Sequence, residues 1–410
     1  MKMDSSDRTS TQQFLIHCLR VFLKSEGVSS LKTYPADSVD WDVLLRLASQ
    51  HKVVPLLHRS LQENHMNVVP ETVARGLLTL CRSVSGRNLL LTGELVRLLK
   101  LFEANGIASI PLKGPALAFF LYGDPALRQS VDIDILVQEE DYRASKRLLV
   151  SIGYQPQYPL TRRQEKSYMK STNHEAFTTD RNGMRINVEL HYCIRRRDLS
   201  FHPDIEGMFE RSVSDSIAGT RVKIFSHEDL LSYLCAHGAQ HQWRCLQWLC
   251  DLAQLLRIYT TIIEWDMVMQ QAKTSGAQRM LFLGLFLTNN ILGAPIPYEI
   301  LKRIKQDPLT IKLAGQVKQR LSGGTLIIPG IQESMMFKSQ LMGKNEIDCF
   351  LYFIRDFSRR ITTPTPADWK SIPLPDTLFP LYYVVRPIRL SAKYGKKAVN
   401  YIYNNLCRGK

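Results

Sequence analysis

The chain has 410 residues, 45% of them hydrophobic, which is enough for two or three domains with real cores. Its formal charge of +15 favours an anionic partner: a nucleotide, a nucleic acid, a phosphorylated substrate or an acidic membrane surface. A basic surface on a soluble protein accounts for the same excess, and no stretch concentrates the aromatic residues that stack bases.

The most apolar run, Met280 to Leu287, stops at Thr288-Asn289-Asn290 and is too brief to span a bilayer. Met1 to Ser10 is polar, with no apolar stretch ending in a small-residue cleavage site. The eight cysteines are irregularly spaced and form no CxxC pair. Reduced thiols in a cytoplasmic protein are the expectation.

Taken in chain order, the first hundred residues read as helical. Trp41, Leu44, Leu45 and Ala48 keep three-and-four spacing, as do Leu91, Leu95, Leu98, Leu99 and Phe102. Ile107 to Leu112 is a short apolar strand ending at Lys113-Gly114. Pro115 suits a first helical position, and Gly123 lies near the end of that helix. A strand from Val131 to Val137 follows, then a helix with Glu139, Glu140 and Asp141 in its first turn and Gly153 as its cap. Glu175–Thr179 and Met184–Tyr192 flank Asp180-Arg181-Asn182-Gly183, and Asn-Gly signals a hairpin. Beyond Phe225 the pattern is helical again, opened by a Ser226/Asp229 capping box and broken at Gly293-Ala294-Pro295. Ser322 to Gln340 reads as a loop. The tail after Asp376 has no acid but carries Arg386, Arg389, Lys393, Lys396, Lys397, Arg408 and Lys410. It is either a solvated helix or a weak contact for nucleic acid or a phosphorylated substrate.

The chemistry sits in Asp132-Ile-Asp-Ile-Leu-Val137. A strand has a side-chain period of two, so Asp132 and Asp134 share one face while Val131, Ile133 and Ile135 enter the core. Carboxylates held that close repel, and a divalent cation is the usual remedy. Such a pair alone is weak, because exposed strand faces often carry acids. After the hairpin, Met184, Ile186, Val188 and Leu190 alternate with Arg185, Asn187, Glu189 and His191. Glu189 can therefore join the aspartates as a third acid. Three carboxylates on adjacent strands can hold two Mg2+ ions for phosphoryl or nucleotidyl transfer.

These residues resemble the DNA polymerase β-like nucleotidyltransferase superfamily. Its pattern is a Gly-containing turn, a strand with alternating aspartates and an acid on a later strand, here Gly114, Asp132/Asp134 and Glu189. More narrowly, Leu112-Lys-Gly114, Leu121-Tyr-Gly-Asp-Pro-Ala-Leu-Arg128, Asp132–Val137 and Val188-Glu-Leu-His191 are similar to an uncharacterised bacterial nucleotidyltransferase-like family. Ala48–Leu57, His237–His241, Trp248–Asp251 and Tyr383–Arg389 extend the likeness over most of the chain. The resemblance implies transfer of a nucleoside monophosphate from an NTP to a hydroxyl or phosphate acceptor, with Mg2+ or Mn2+ on Asp132, Asp134 and Glu189. The acceptor class stays open among a small molecule, a peptide, a protein and RNA.

The superfamily's Gly-Ser or Gly-Gly turn is replaced by Lys113-Gly114-Pro115. Phosphate binding then falls to Lys113 and Arg128; alternatively Lys113 is solvated, and Arg128 pairs with Asp124 or Asp132. His191 either orients a carboxylate, contacts substrate as part of an acceptor pocket, or is a satisfied histidine at a domain junction. His237 and His241 have the i,i+4 spacing of a zinc pair but no third ligand, which favours packing or an acceptor pocket shared with Gln240 and Asp251.

The expected fold is α+β, with a small mixed-sheet nucleotidyltransferase core over 105–225 between an N-terminal helical region, 1–104, and a C-terminal helical region, 226–410. The competing expectations are a catalytically degenerate nucleotide-binding regulator and a basic nucleic-acid-binding protein.

Overall fold

The computed structural model describes residues 5–27, 39–64, 69–181, 183–194, 202–322, 330–343 and 345–393. Asn182, Cys407 and the tail cations Lys396, Lys397, Arg408 and Lys410 lie outside the described residues.

Four helices come first: α1 (Ser5–Phe22), α2 (Trp41–Gln50), α3 (Val54–Asn64) and α4 (Glu71–Ala104). In α4 the predicted stripe of Leu91, Leu95, Leu98, Leu99 and Phe102 is buried. The chain then forms β1 (Ser109–Pro111), α5 (Pro115–Tyr122), β2 (Ile133–Val137), α6 (Tyr142–Ser151), β3 (Gln155–Pro156), α7 (Arg162–Ser171), β4 (His174–Arg181) and β5 (Met184–His191). Pro115 opens α5, and Gly123 closes it in the left-handed region at φ 68°.

The strands make one mixed sheet in the order β1-β2-β5-β4-β3. β2 and β5 run parallel, with Asp134 opposite Glu189. β4 and β5 form the predicted hairpin, with Arg181 opposite Met184 and His174 opposite His191. A short helix α8 (Ile205–Glu210) and a second hairpin, β6 (Val213–Ile217) with β7 (Thr220–Ile224), complete this part.

Helices follow: α9 (His227–Gln240), α10 (Leu246–Tyr259), α11 (Trp265–Thr274), α12 (Gln278–Leu292), α13 (Tyr298–Lys305), α14 (Pro308–Leu321), α15 (Ile331–Met342), α16 (Glu346–Thr362) and α17 (Pro366–Ser371). Ser226 caps α9 by accepting from the Asp229 N–H, as expected. The second half of the segment predicted to be a loop is instead α15. Met335, Phe337 and Leu341 are buried there, so tertiary packing supplies the helix that local polarity concealed.

The two faces of the sheet meet different cores. Ile133, Ile135, Val188 and Leu190 pack with Leu91–Phe102 of α4 and with Tyr142 of α6. Leu136 belongs to a larger core that joins α1–α3 to α9–α14. That second face also carries Asp134, Glu189 and His191, so the acids look toward the helical layer. The described cysteines are all free. Among the described residues no helix is long and apolar enough to cross a membrane.

Candidate active site

A cavity of about 340 Å3 lies between the sheet and the helical layer, and Lys113, Gly114, Asp132, Asp134, Glu189 and His191 all line it. Strand pairing builds its floor. Because β2 and β5 are parallel neighbours with Asp134 opposite Glu189, two acids must share one face. The hairpin adds His191 and, directly across from it on β4, His174.

Asp134 is 1% exposed. Lys113 Nζ lies 2.9 Å from its Oδ1, and His191 Nε2 lies 3.2 Å from the same oxygen. Its Oδ2 is buried and has no hydrogen-bond partner. A buried carboxylate oxygen left bare is costly unless a cation or proton meets it. His191 Nε2 is also 3.3 Å from Glu189 Oε2, so one imidazole nitrogen spans both acids. Asn173 Nδ2 lies 3.3 Å from His191 Nδ1 and holds the ring from behind. His191 thus contacts both carboxylates and is itself fully partnered.

Gly114 is where the altered turn shows its logic. It sits at φ +61°, and a Cβ there would meet the Asp132 carbonyl oxygen at 2.7 Å. Only glycine lets the turn lie against the backbone of the metal-ready strand. The neighbouring Leu112 N–H donates to the Asp134 carbonyl at 3.0 Å, fixing the register of turn and strand.

Arg128 pairs with Asp251 and not with the Asp124 or Asp132 that the sequence offered. Its Nε and Nη2 donate to Asp251 of α10 at 3.0 and 2.9 Å, and its Nη1 donates to the Gly114 carbonyl at 3.2 Å. Tyr122 Oη reaches the same carboxylate at 3.1 Å. The forked guanidinium thus ties the Gly114 turn to the helical layer, while still lining the cavity. His237 and His241 also line it, with ring centroids 4.7 Å apart and both packed against Trp248. Among the described residues they are not in a metal-competent cluster; that cluster is His174, Glu189 and His191, whose ligand-type atoms lie within 4.8 Å of one another.

The electrostatics follow from burial and neighbours. Burial and the adjacent Asp134 push Asp132 up to about 6. Burial pushes Asp134 the same way, but Lys113 and His191 outweigh it and hold this carboxyl well below the ordinary range. Glu189 is likewise held low against burial by the His191 hydrogen bond. Burial lowers His174 and His241 to about 4 each, and it lowers His237 too, with Lys113 adding to the effect. For His191 burial is outweighed by its two carboxylate partners, and its value rises. At neutral pH the cavity therefore presents ionised Asp134 and Glu189 and three neutral imidazoles.

Residues 37–293 match the family described as uncharacterised nucleotidyltransferase. The chain belongs to that family. The matched span contains every residue named at the site, from Lys113 to Asp251. A solved structure of an antigenic nucleotidyltransferase-like protein from Paracoccidioides brasiliensis is similar at 15% identity with a TM-score of 0.31, covering 50% of this chain and 93% of that one. No curated protein matches.

Several residues on the cavity wall were not read as site residues from the sequence, among them Lys52, His174, Tyr233 and Arg244. His174 was within reach, since counting the hairpin register back from the Asn-Gly turn sets it opposite His191. Lys52 follows α2 with φ 57°, and its side chain enters the cavity from a distant helix end. No local pattern marks Lys52, Tyr233 or Arg244 as wall residues.

Proposed function

We propose that this protein is a metal-dependent nucleotidyltransferase that moves a nucleoside monophosphate from an NTP to a hydroxyl or phosphate acceptor and releases pyrophosphate. The observation that carries this reading is the bare, buried Oδ2 of Asp134 beside Glu189 in a cavity walled by cations. The donor set suits a divalent ion, because Asp132, Asp134 and Glu189 supply hard oxygens and the unpartnered Oδ2 requires a positive neighbour. Those three residues would hold Mg2+ or Mn2+, which supplies Lewis-acid stabilisation of the charge developing on the transferred phosphate.

The chain's own groups do the rest. Lys113 stands at the turn after β1 as a point charge for the β- and γ-phosphates. Gly114 keeps side-chain atoms out of the space beside Asp132. Arg128 holds that turn and adds its charge to the phosphate wall. Glu189 is ionised and half-buried, so it can accept the proton of an incoming acceptor, with His191 fixing its orientation. His237 and His241, neutral and aromatic-packed, line the acceptor side. The acceptor is a small molecule, a peptide, a protein or RNA, and the basic surface favours an anionic one. Free, mostly buried thiols suit a reducing cytoplasm.

The test is incubation with each α-labelled NTP and Mg2+ or Mn2+ in cell lysate, wild type against Asp134→Ala. Label should move to an acceptor only with the wild type; equal transfer, or none in either, overturns the reading. One contact favours a second reading: Lys113 Nζ already neutralises Asp134 at 2.9 Å, as in a site that binds nucleotide without turning it over. Calorimetric NTP binding with no pyrophosphate release across an acceptor panel would select that regulator.

A further inference from the structure

We propose that His174, Glu189 and His191 form a metal site that prefers a borderline transition ion, Mn2+ or Zn2+, to Mg2+. The residues converge because of strand pairing. His174 and His191 are direct cross-strand partners, and Glu189 lies two residues before His191 on the same face. His174 Nε2 is 3.6 Å from Glu189 Oε1, and His191 Nε2 is 3.3 Å from Glu189 Oε2. The two rings stand with centroids 4.9 Å apart.

Two imidazoles and one carboxylate make a donor set that hard, oxygen-seeking Mg2+ does not favour and that Zn2+ and other first-row ions do. With three protein donors, coordination positions stay open for water or substrate. One further observation points to a missing cation: Asp134 Oδ2, next to His191, is buried without a partner. Glu189 and His174 keep part of their surface open, at 26% and 31%, which leaves a route for an ion.

Within the proposed transfer reaction this site is the acceptor-side metal position, and that placement rests on the nucleotidyltransferase reading. The site itself does not. Its test uses the full chain stripped of metal and no nucleotide. Mn2+ is titrated in, binding is followed by the loss of the free-ion EPR signal, and pulsed EPR reads nitrogen couplings from the bound ion. The wild type should bind Mn2+ with imidazole-nitrogen coupling, release it to Zn2+ and retain it against a large excess of Mg2+. His174→Ala should weaken binding by about 100-fold or more, since even residues behind a ligand are worth about 10–100-fold.

Absence of nitrogen coupling in the wild type overturns the proposal whether or not the variant folds. Ready displacement by Mg2+, or unchanged Mn2+ affinity in a folded His174→Ala protein, does the same. A protein that binds Mn2+ with nitrogen coupling but transfers no label keeps this site and loses the transfer reading. Transfer without that coupling has the opposite meaning.

Discussion

Glu175 and Asp134 are buried acids on opposite faces of one sheet, and they are treated in opposite ways. Glu175 accepts from Tyr142 Oη and takes Lys146 Nζ on both oxygens, at 3.1 and 2.9 Å. Lys146 extends the set to Glu165 at 2.8 Å. Nothing is left over, and the arrangement is a closed structural ion pair. Asp134 also has a lysine, Lys113, yet one of its oxygens faces no partner at all. A fully satisfied buried charge points to packing, whereas an incompletely satisfied one points to something that arrives later.

Exchanging the two charges separately is the sharpest way to break that comparison. Asp134→Asn should lower label transfer by about 10³-fold, the equivalent of the several kcal/mol that a bound ion supplies. Its urea midpoint without metal should fall as well, because Lys113 and His191 stabilise the ionised carboxyl. Glu175→Ala should cost about 3 kcal/mol in urea unfolding by stranding Lys146, but with transfer per folded molecule within about twofold, so transfer and not stability separates the two. If the two variants behave alike in transfer, the distinction fails.

Arg128 lies between these extremes, as a fully paired charge that also touches the site. Arg128→Lys keeps the charge but loses the fork on Asp251 and the bond to Gly114. A stability loss of about 2 kcal/mol is expected, together with a raised KM for NTP as the Gly114 turn loosens. Denaturant titration and steady-state kinetics check both parts.

A third buried acid, Asp368, tests the closed type by pH. It accepts from Thr365 N–H at 2.8 Å, Arg386 Nη1 at 2.7 Å and Arg389 Nε at 2.5 Å. Burial opposes its charge, but these donors outweigh burial and lower its pKa. A group depressed on folding contributes stability above its unfolded value, and the contribution disappears as pH falls through the folded value. Asp368→Asn should therefore cost about 1.5 kcal/mol at pH 7, and the difference from wild type should vanish below the ordinary carboxylate range. Thermal melts across acidic pH would measure it; a difference that persists in strong acid would remove the charge from the explanation.

Much of the site was legible because strands read in steps of two. Glu189 and His191 fall on one face of β5 by counting alone, whereas Asp134 joins them only through the parallel pairing of β2 with β5. The same counting from Arg181 and Met184 would have reached His174. The helices showed themselves through apolar spacing, as in Leu91 to Phe102, and through Ser226, Pro115 and Gly123 at their ends. The helix at Ile331–Met342 was hidden among polar neighbours, since its stability comes from Met335, Phe337 and Leu341 meeting a core assembled from elsewhere.

The feature that first marks this chain, the Asp132/Asp134 pair, is only partly a strand property: Asp134 lies in β2, whereas Asp132 stands just before it and Val131, expected in the core, is exposed. What the pair faces is not local. Lys113, Arg128 with Asp251, His174 and Lys52 converge only when parallel strand pairing and the helical layer bring distant segments together. Whether an oxygen of Asp134 ends with a partner or without one depends on that convergence. Sequence alone therefore picked out the acids, and tertiary structure alone decided which of their oxygens is left without a partner.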